Sequence, residues 1–385
     1  MRIPPFLLPQ RLSGPGSFFP PQAREILSLI FKIISGQPEE ALSNLDASSL
    51  KPLRHHRLTP WLYLEVARKG WEKYILSPSL LQDLRRDYIL SLIMATRQSE
   101  MALRFIQDFS HHGIEVILLK GADLRHRLYG DPAARPMDDL DVLINPEDMP
   151  RARSVLAEMG FRLAPEYADL SPAYWEILGD AVHYKPPSDK EFLLDLHWEI
   201  GALLYFYRLP FALLRKDAIP FSPDGLPVYV LSPENLIIYL CLNSQKDPGI
   251  PILRQILDMV LALSGLPINW RTLTDRTRSF RCQRPVYVIL REIASFAPHL
   301  VPQEALEGLA AYRPSLAELM VLHGRLRYLT LGIPSFYRHR SLRDWLKVVK
   351  ATLWPEAEYL AALSGRPDRL AYFKDLLGKR VYKWE

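Results

Sequence analysis

The chain has 385 residues, 48% of them hydrophobic and 24% charged, with 33 prolines spread along its length, which excludes a disordered or fibrous polymer and leaves room for two or three domains. A formal net charge of +5 and a sequence pI of about 9.0 are too weak a basic excess to argue for nucleic acid or another polyanion. Two cysteines, Cys241 and Cys282, exclude a disulfide framework and read as buried reduced thiols; the proline-rich opening is no signal peptide and no apolar run approaches a bilayer span, so a cytoplasmic protein is expected.

From about 21 to 112 the pattern is helical. Apolar residues recur at three- and four-residue spacing in "PPQAREILSLIFKIISG", and residues 77–113 predict one long helix or a pair ending at Gly113. The texture changes at 114, where "IEVILL" predicts a strand, "GADLRHRLYG" a short helix, "DLDVLI" a second strand, and "NPEDMPRARSVLAEMG" a helix with Asn145 as cap. Further strands are predicted at about 181–185, 191–200 and 226–230. From Pro233 onward only helices are readable, at about 233–246, 250–264, 283–296, 303–312 and 315–330. The expected fold class is therefore α+β, a small mixed sheet flanked by helical regions, divided as 1–95, 96–231 and 232–385.

Chemistry is suggested by "DDLDVLI" at 138–144. Side chains at i and i+2 share a strand face, so Asp139 and Asp141 point one way while Leu140, Val142 and Ile144 point into a core. Two carboxylates about 6 to 7 Å apart along a strand can chelate a pair of divalent cations about 3.5 to 4 Å apart. A polar strand end beside a turn explains the same residues taken alone. A second strand, "EFLLDLHWEI", places Asp195 and His197 on one face opposite the wholly apolar Phe192, Leu194, Leu196, Trp198 and Ile200; it is either a neighbour bringing a third carboxylate or an amphipathic surface strand. The ten histidines and two cysteines show no zinc-ligand spacing.

Taken in order, "LLKG" at 118–121, "RLYG" at 127–130, Arg135, "DLDVLI" at 139–144 and "LLDLHW" at 193–198 resemble the nucleotidyltransferase superfamily typified by DNA polymerase beta, and within it the bacterial uncharacterised nucleotidyltransferases. The resemblance covers roughly residues 95 to 265. Where relatives often have Gly-Ser or Gly-Gly, Gly121 is followed here by Ala122, and Asn243 stands at a helix position where relatives often carry a histidine.

The resemblance implies transfer of a nucleoside monophosphate from an NTP, ATP first among them, to a hydroxyl of an acceptor that is a small molecule, a sugar, a protein or RNA. Neither DNA nor a membrane is expected as a partner. It implies two Mg²⁺ ions on Asp139, Asp141 and Asp195, with Asp195 also placed to take the hydroxyl proton. Lys120 and Gly121 would meet the phosphates, Arg135 would clamp one in bidentate fashion unless it pairs with Asp131 or Asp138, and His197 would orient Asp195, touch a ribose or serve as a structural histidine. His183 is a weaker candidate. Tyr129 reads as core packing, and Arg254 with Asp258 as a helical i,i+4 pair. The competing expectation is a catalytically silent, antitoxin-like or scaffolding protein of the same fold. Against it, acids held together without a cation repel and raise each other's pKa. Basic stretches such as "RRDYILSL" read as solvated helix faces rather than an RNA site.

Overall fold

The computed structural model describes residues 21–75, 77–164, 180–187, 193–202, 207–245, 253–314 and residue 370. The N-terminal helices are α1 (Pro21–Ile34), α2 (Pro38–Leu42), α3 (Ala47–His55), α4 (Thr59–Lys69) and the 34-residue α5 (Pro78–His111). Their ends follow capping rules. The Asp46 side chain accepts from the Ser48 and Ser49 amides at the start of α3, and that of Ser77 accepts from the Leu80 amide at the start of α5.

Strands and short helices then alternate: β1 (Ile117–Leu118), α6 (Lys120–Arg127), β2 (Asp139–Leu143), α7 (Met149–Glu158), β3 (Arg162–Leu163), β4 (Ala181–Lys185), β5 (Leu193–His197), β6 (Glu199–Ala202), β7 (Tyr207–Pro210), α8 (Phe211–Lys216), β8 (Ile219–Phe221) and β9 (Val228–Val230). The C-terminal helices are α9 (Pro233–Asn243), α10 (Leu253–Gly265), α11 (Trp270–Ser279), α12 (Gln283–Phe296) and α13 (Gln303–Ala310). The helix predicted at 315–330 lies outside the described residues. No helix among the described residues is long and apolar enough to cross a membrane. Cys241 and Cys282 are buried free thiols.

Among the described residues the main sheet has seven strands in the order β3-β4-β5-β2-β1-β9-β8, and β6 pairs with β7 apart from it. The pairs β2/β5 and β1/β9 are parallel and the other neighbours antiparallel, so the expected mixed sheet is present. The predicted strand 191–200 is in fact two. The chain leaves the main sheet at Trp198, whose amide donates to the Asp180 carbonyl at 3.1 Å, and re-forms as β6 in the second sheet. α8 and α11 are not foreseen from the sequence because one is short and the other, "WRTLTDRTRS", carries only two apolar side chains, Trp270 and Leu273.

Both faces of the main sheet are covered. Leu140, Val142, Ile144, Leu194 and Leu196 join Phe105, Phe109, Val155 and Leu156 in one core under α5 and α7. On the opposite face Ile117, Leu119 and Leu143 join a larger core built by N-terminal and C-terminal helices. Period-two alternation thus sends Asp139, Asp141, Asp195 and His197 toward the second face, at the edge of that larger core.

Candidate active site

Parallel pairing sets Asp141 directly beside Asp195, and Asp139 beside Leu193. Asp141 is 1% exposed, whereas Asp139 and Asp195 are half-buried. The expected convergence of acids from two strands is therefore present, with Asp141 deeper than a solvated strand face would place it. The cause is the helical layer over this face.

The turn between β1 and α6 aims a cation at Asp141. Lys120 has φ 41°, in the left-handed region that side-chain-bearing residues rarely adopt, and such local strain collects at functional sites. Its Nζ donates to Asp141 Oδ1. His197, 5% exposed, lies on the same carboxylate oxygen with Nε2 at 3.3 Å, and its Nδ1 is 3.8 Å from Asp180 Oδ2. His183 Nε2 is 3.6 Å from Asp195 Oδ1. His197 thus holds Asp141 rather than orienting Asp195, and His183, the weaker candidate, is the histidine that faces Asp195.

These neighbours divide the carboxyls. Burial pushes Asp141 up, but Lys120 and His197 outweigh it and hold its pKa well below the usual range. Asp139 and Asp195 are raised by burial first and then by the Asp141 charge, with Lys120 and His183 among the opposing influences. For Lys120, burial disfavours the ammonium, yet Asp141, Tyr239 and Asp139 together outweigh it and its pKa rises.

A divalent cation fits this set. Asp141, Asp195 and His197 each bring one ligand atom within 4.8 Å of the others, and Asp141 Oδ2 is a buried oxygen without a hydrogen-bond partner. A buried acceptor left open, beside two carboxyls that repel it, is the arrangement a hard cation relieves.

Gly121 has a packing reason for its identity: a Cβ there would meet Met137 Cβ at 3.0 Å and Arg135 Nη1 at 3.4 Å. Arg135 is not free to clamp a phosphate. Buried at 3% exposure, it grips Asp258 of α10 in bidentate fashion, Nε to Oδ1 and Nη2 to Oδ2 both at 2.8 Å. Tyr129 donates to the same Oδ1 at 2.6 Å, so Asp258 is spent on these partners rather than on Arg254, whose Nη1 donates to the Pro136 carbonyl.

Asn243, which stands where relatives often carry a histidine, closes α9; the residue of that helix in the field of the acids is Tyr239, one turn earlier. Its hydroxyl is buried and unpartnered, and burial raises its pKa well above the ordinary value with Lys120, Asp141, Asp139 and Asp180 acting on it. The two share a helix face, so only how far along its axis the helix sits over the acids could have distinguished them.

A family model described as "Uncharacterised nucleotidyltransferase" matches residues 47–298. No curated protein matches the chain. Among solved structures, the antibiotic-resistance factor ANT(2'')-Ia is similar at 17% identity over 52% of this chain and 98% of that one, with a TM-score of 0.35. A crystal structure of ANT(2'')-Ia with adenylyl-2''-tobramycin gives 17% identity, 48% and 97% coverage, and 0.35. An antigenic nucleotidyltransferase-like protein from Paracoccidioides brasiliensis gives 14%, 55% and 92%, and 0.36.

Proposed function

The chain belongs to the uncharacterised nucleotidyltransferases, and from that premise we propose that it transfers a nucleoside monophosphate from an NTP, most simply ATP, to a hydroxyl of an acceptor. The observation that carries this reading is the Asp141–Asp195 register with Asp139 one pleat away, three carboxyls from two parallel strands on one face. In the reaction the acceptor oxygen bonds to the α-phosphorus while the bond to the β-phosphate oxygen breaks, releasing pyrophosphate.

Asp139, Asp141 and Asp195 would hold two Mg²⁺ ions, which when bound lower the pKa of the attacking hydroxyl and offset charge on the triphosphate. Lys120 and His197 keep Asp141 ionised and oriented, a supporting shell of the kind that fixes metal ligands. Asp195 takes the hydroxyl proton, suited to it by a raised pKa. Lys120 and Gly121, at the start of α6, face the triphosphate with the helix N-terminus behind them. Arg135 supports this arrangement from behind through its bond to Asp258.

The test is thermal. Mg²⁺ with ATP should raise the Tm of the wild type by about 2 °C or more and leave Asp139→Ala unmoved, and α-labelled ATP with cell extract should place label on the acceptor only with the wild type. Equal Tm shifts in the two proteins would put the nucleotide elsewhere.

A further inference from the structure

A cavity of about 340 Å³ opens between the turn joining α3 to α4, the middle of α5, and residues Pro136–Asp138, which lead directly into Asp139. Two of the three arginines on its wall are held by carboxylates and the third is not. Arg54 is gripped by Asp83 and Asp87 at 3.0 and 2.8 Å, and Arg57 by Asp138. Arg125, also on the wall and 2% exposed, has no carboxylate partner. Its Nη2 donates at 3.3 Å to Gln98 Oε1 and to the Pro132 carbonyl, and its Nε is buried without a partner.

Behind the wall the pattern repeats. Arg254 donates to the carbonyl of Pro136, its Nε is likewise buried and unpartnered, and the nearby Asp258 is already held by Arg135. Beside the Arg57–Asp138 pair, Arg125, Arg135 and Arg254 thus share one bonded carboxylate, Asp258. Burial, then the Arg135 charge, brings Arg125 down to about 10 and Arg254 to about 9, with Asp131 and Asp258 respectively opposing only in part.

We propose that this cavity seats an oxyanion, a phosphate ester or a carboxylate, carried by the acceptor molecule, with Arg125 as its direct partner and Arg254 supplying further positive field. The assignment to the acceptor rests on the transferase reading above. Guanidinium groups suit oxyanions through planar, charge-assisted bonds. Leu90 and Met94 give the cavity an apolar side for the remainder of the molecule. Because Asp138 is in the wall and Asp139 is the next residue, an acceptor anchored here lies alongside the acidic strand.

The probe is inorganic phosphate, with acetate as the carboxylate arm, added to the full-length protein at constant ionic strength without Mg²⁺ or nucleotide. Phosphate should raise the wild-type Tm by about 2 °C, and Arg125→Gln should abolish most of that shift. Met94→Glu should abolish it too, since it places a carboxylate in the cavity from a position 38% exposed that tolerates charge; it decides the matter if Arg125→Gln fails to fold. Lys120→Ala should keep the full response. A shift with acetate alone, lost in the same two variants, would assign a carboxylate. Equal responses in wild type, Arg125→Gln and Met94→Glu, or a loss confined to Lys120→Ala, would overturn the proposal. A missing Mg²⁺–ATP shift beside an intact phosphate shift would count against the transferase reading alone.

Discussion

Asp139 and Asp141 share a strand face, yet their surroundings have opposite signs. Asp141 answers Lys120 and His197 and is stabilised as the anion; Asp139 meets mainly burial and the charge of Asp141. Asp141→Asn leaves the Lys120 ammonium without its counter-ion, and breaking a buried pair costs roughly 3–5 kcal/mol, so a loss of about 3 kcal/mol is expected in urea unfolding. Asp139→Asn removes a repelled charge and should match or exceed the wild type at pH 7 in metal-free buffer. The Asp139 carboxyl binds its proton more tightly folded than unfolded, so its stabilising contribution is complete below the ordinary carboxyl range, about 4, and disappears as the pH rises through the raised value. The advantage of Asp139→Asn over the wild type should therefore be present at pH 7 and fade on descending to pH 4. Unfolding midpoints in the reverse order would show that Asp139 is a stabilised anion. Both variants should lose transfer activity, one with and one without a cost in stability.

At the scale of elements, what could be read in advance was local. The alternation in β2 and the Lys-Gly turn depend on neighbours within a few residues, and each appears in the structure; Asn145 caps a short turn, Pro146–Asp148, that leads into α7 rather than α7 itself. What could not be read depends on distant partners. The break at Trp198 requires knowing that Asp180 waits across the sheet, and the diversion of Arg135 requires Asp258, 123 residues away. The choice of Tyr239 over Asn243 depends on how α9 lies on the sheet. The β1–α6 turn offers a test because its glycine is explained by a particular neighbour. Gly121→Ala pushes a methyl into Met137 and should cost about 1–3 kcal/mol, the usual penalty for overpacking. Met137→Ala in the same chain should recover a large part of that loss. Equal destabilisation of the single and double variants would mean that the backbone conformation, not the contact with Met137, selects glycine.

At the scale of the whole molecule, the division near 231 follows a change in sequence texture and that near 95 the start of the family resemblance, inside α5, while the larger core runs across both. One hydrophobic cluster takes Leu27 and Ile30 from α1, Leu62 from α4, Ile117 and Leu143 from the sheet, and Ile237, Met259 and Ile289 from the C-terminal helices. The face of the sheet that carries the acids is thus roofed by segments from both ends of the described chain. Burial on that scale favours one cooperative unit, since removing either set of helices exposes the apolar face of β1 and β2 to water. The Arg135–Asp258 pair adds a polar tie between the loop before β2 and α10. We therefore expect residues 96–231 produced alone to lack a cooperative thermal transition, and the full chain to unfold in a single one. Asp258→Ala, which strands a buried guanidinium, should lower stability by about 3–5 kcal/mol while preserving that single transition. If the isolated segment instead melted cooperatively, or if Asp258→Ala split the transition in two, the sheet would be a self-sufficient domain, and the depth of Asp141 would have to arise within it rather than from the helices laid across it.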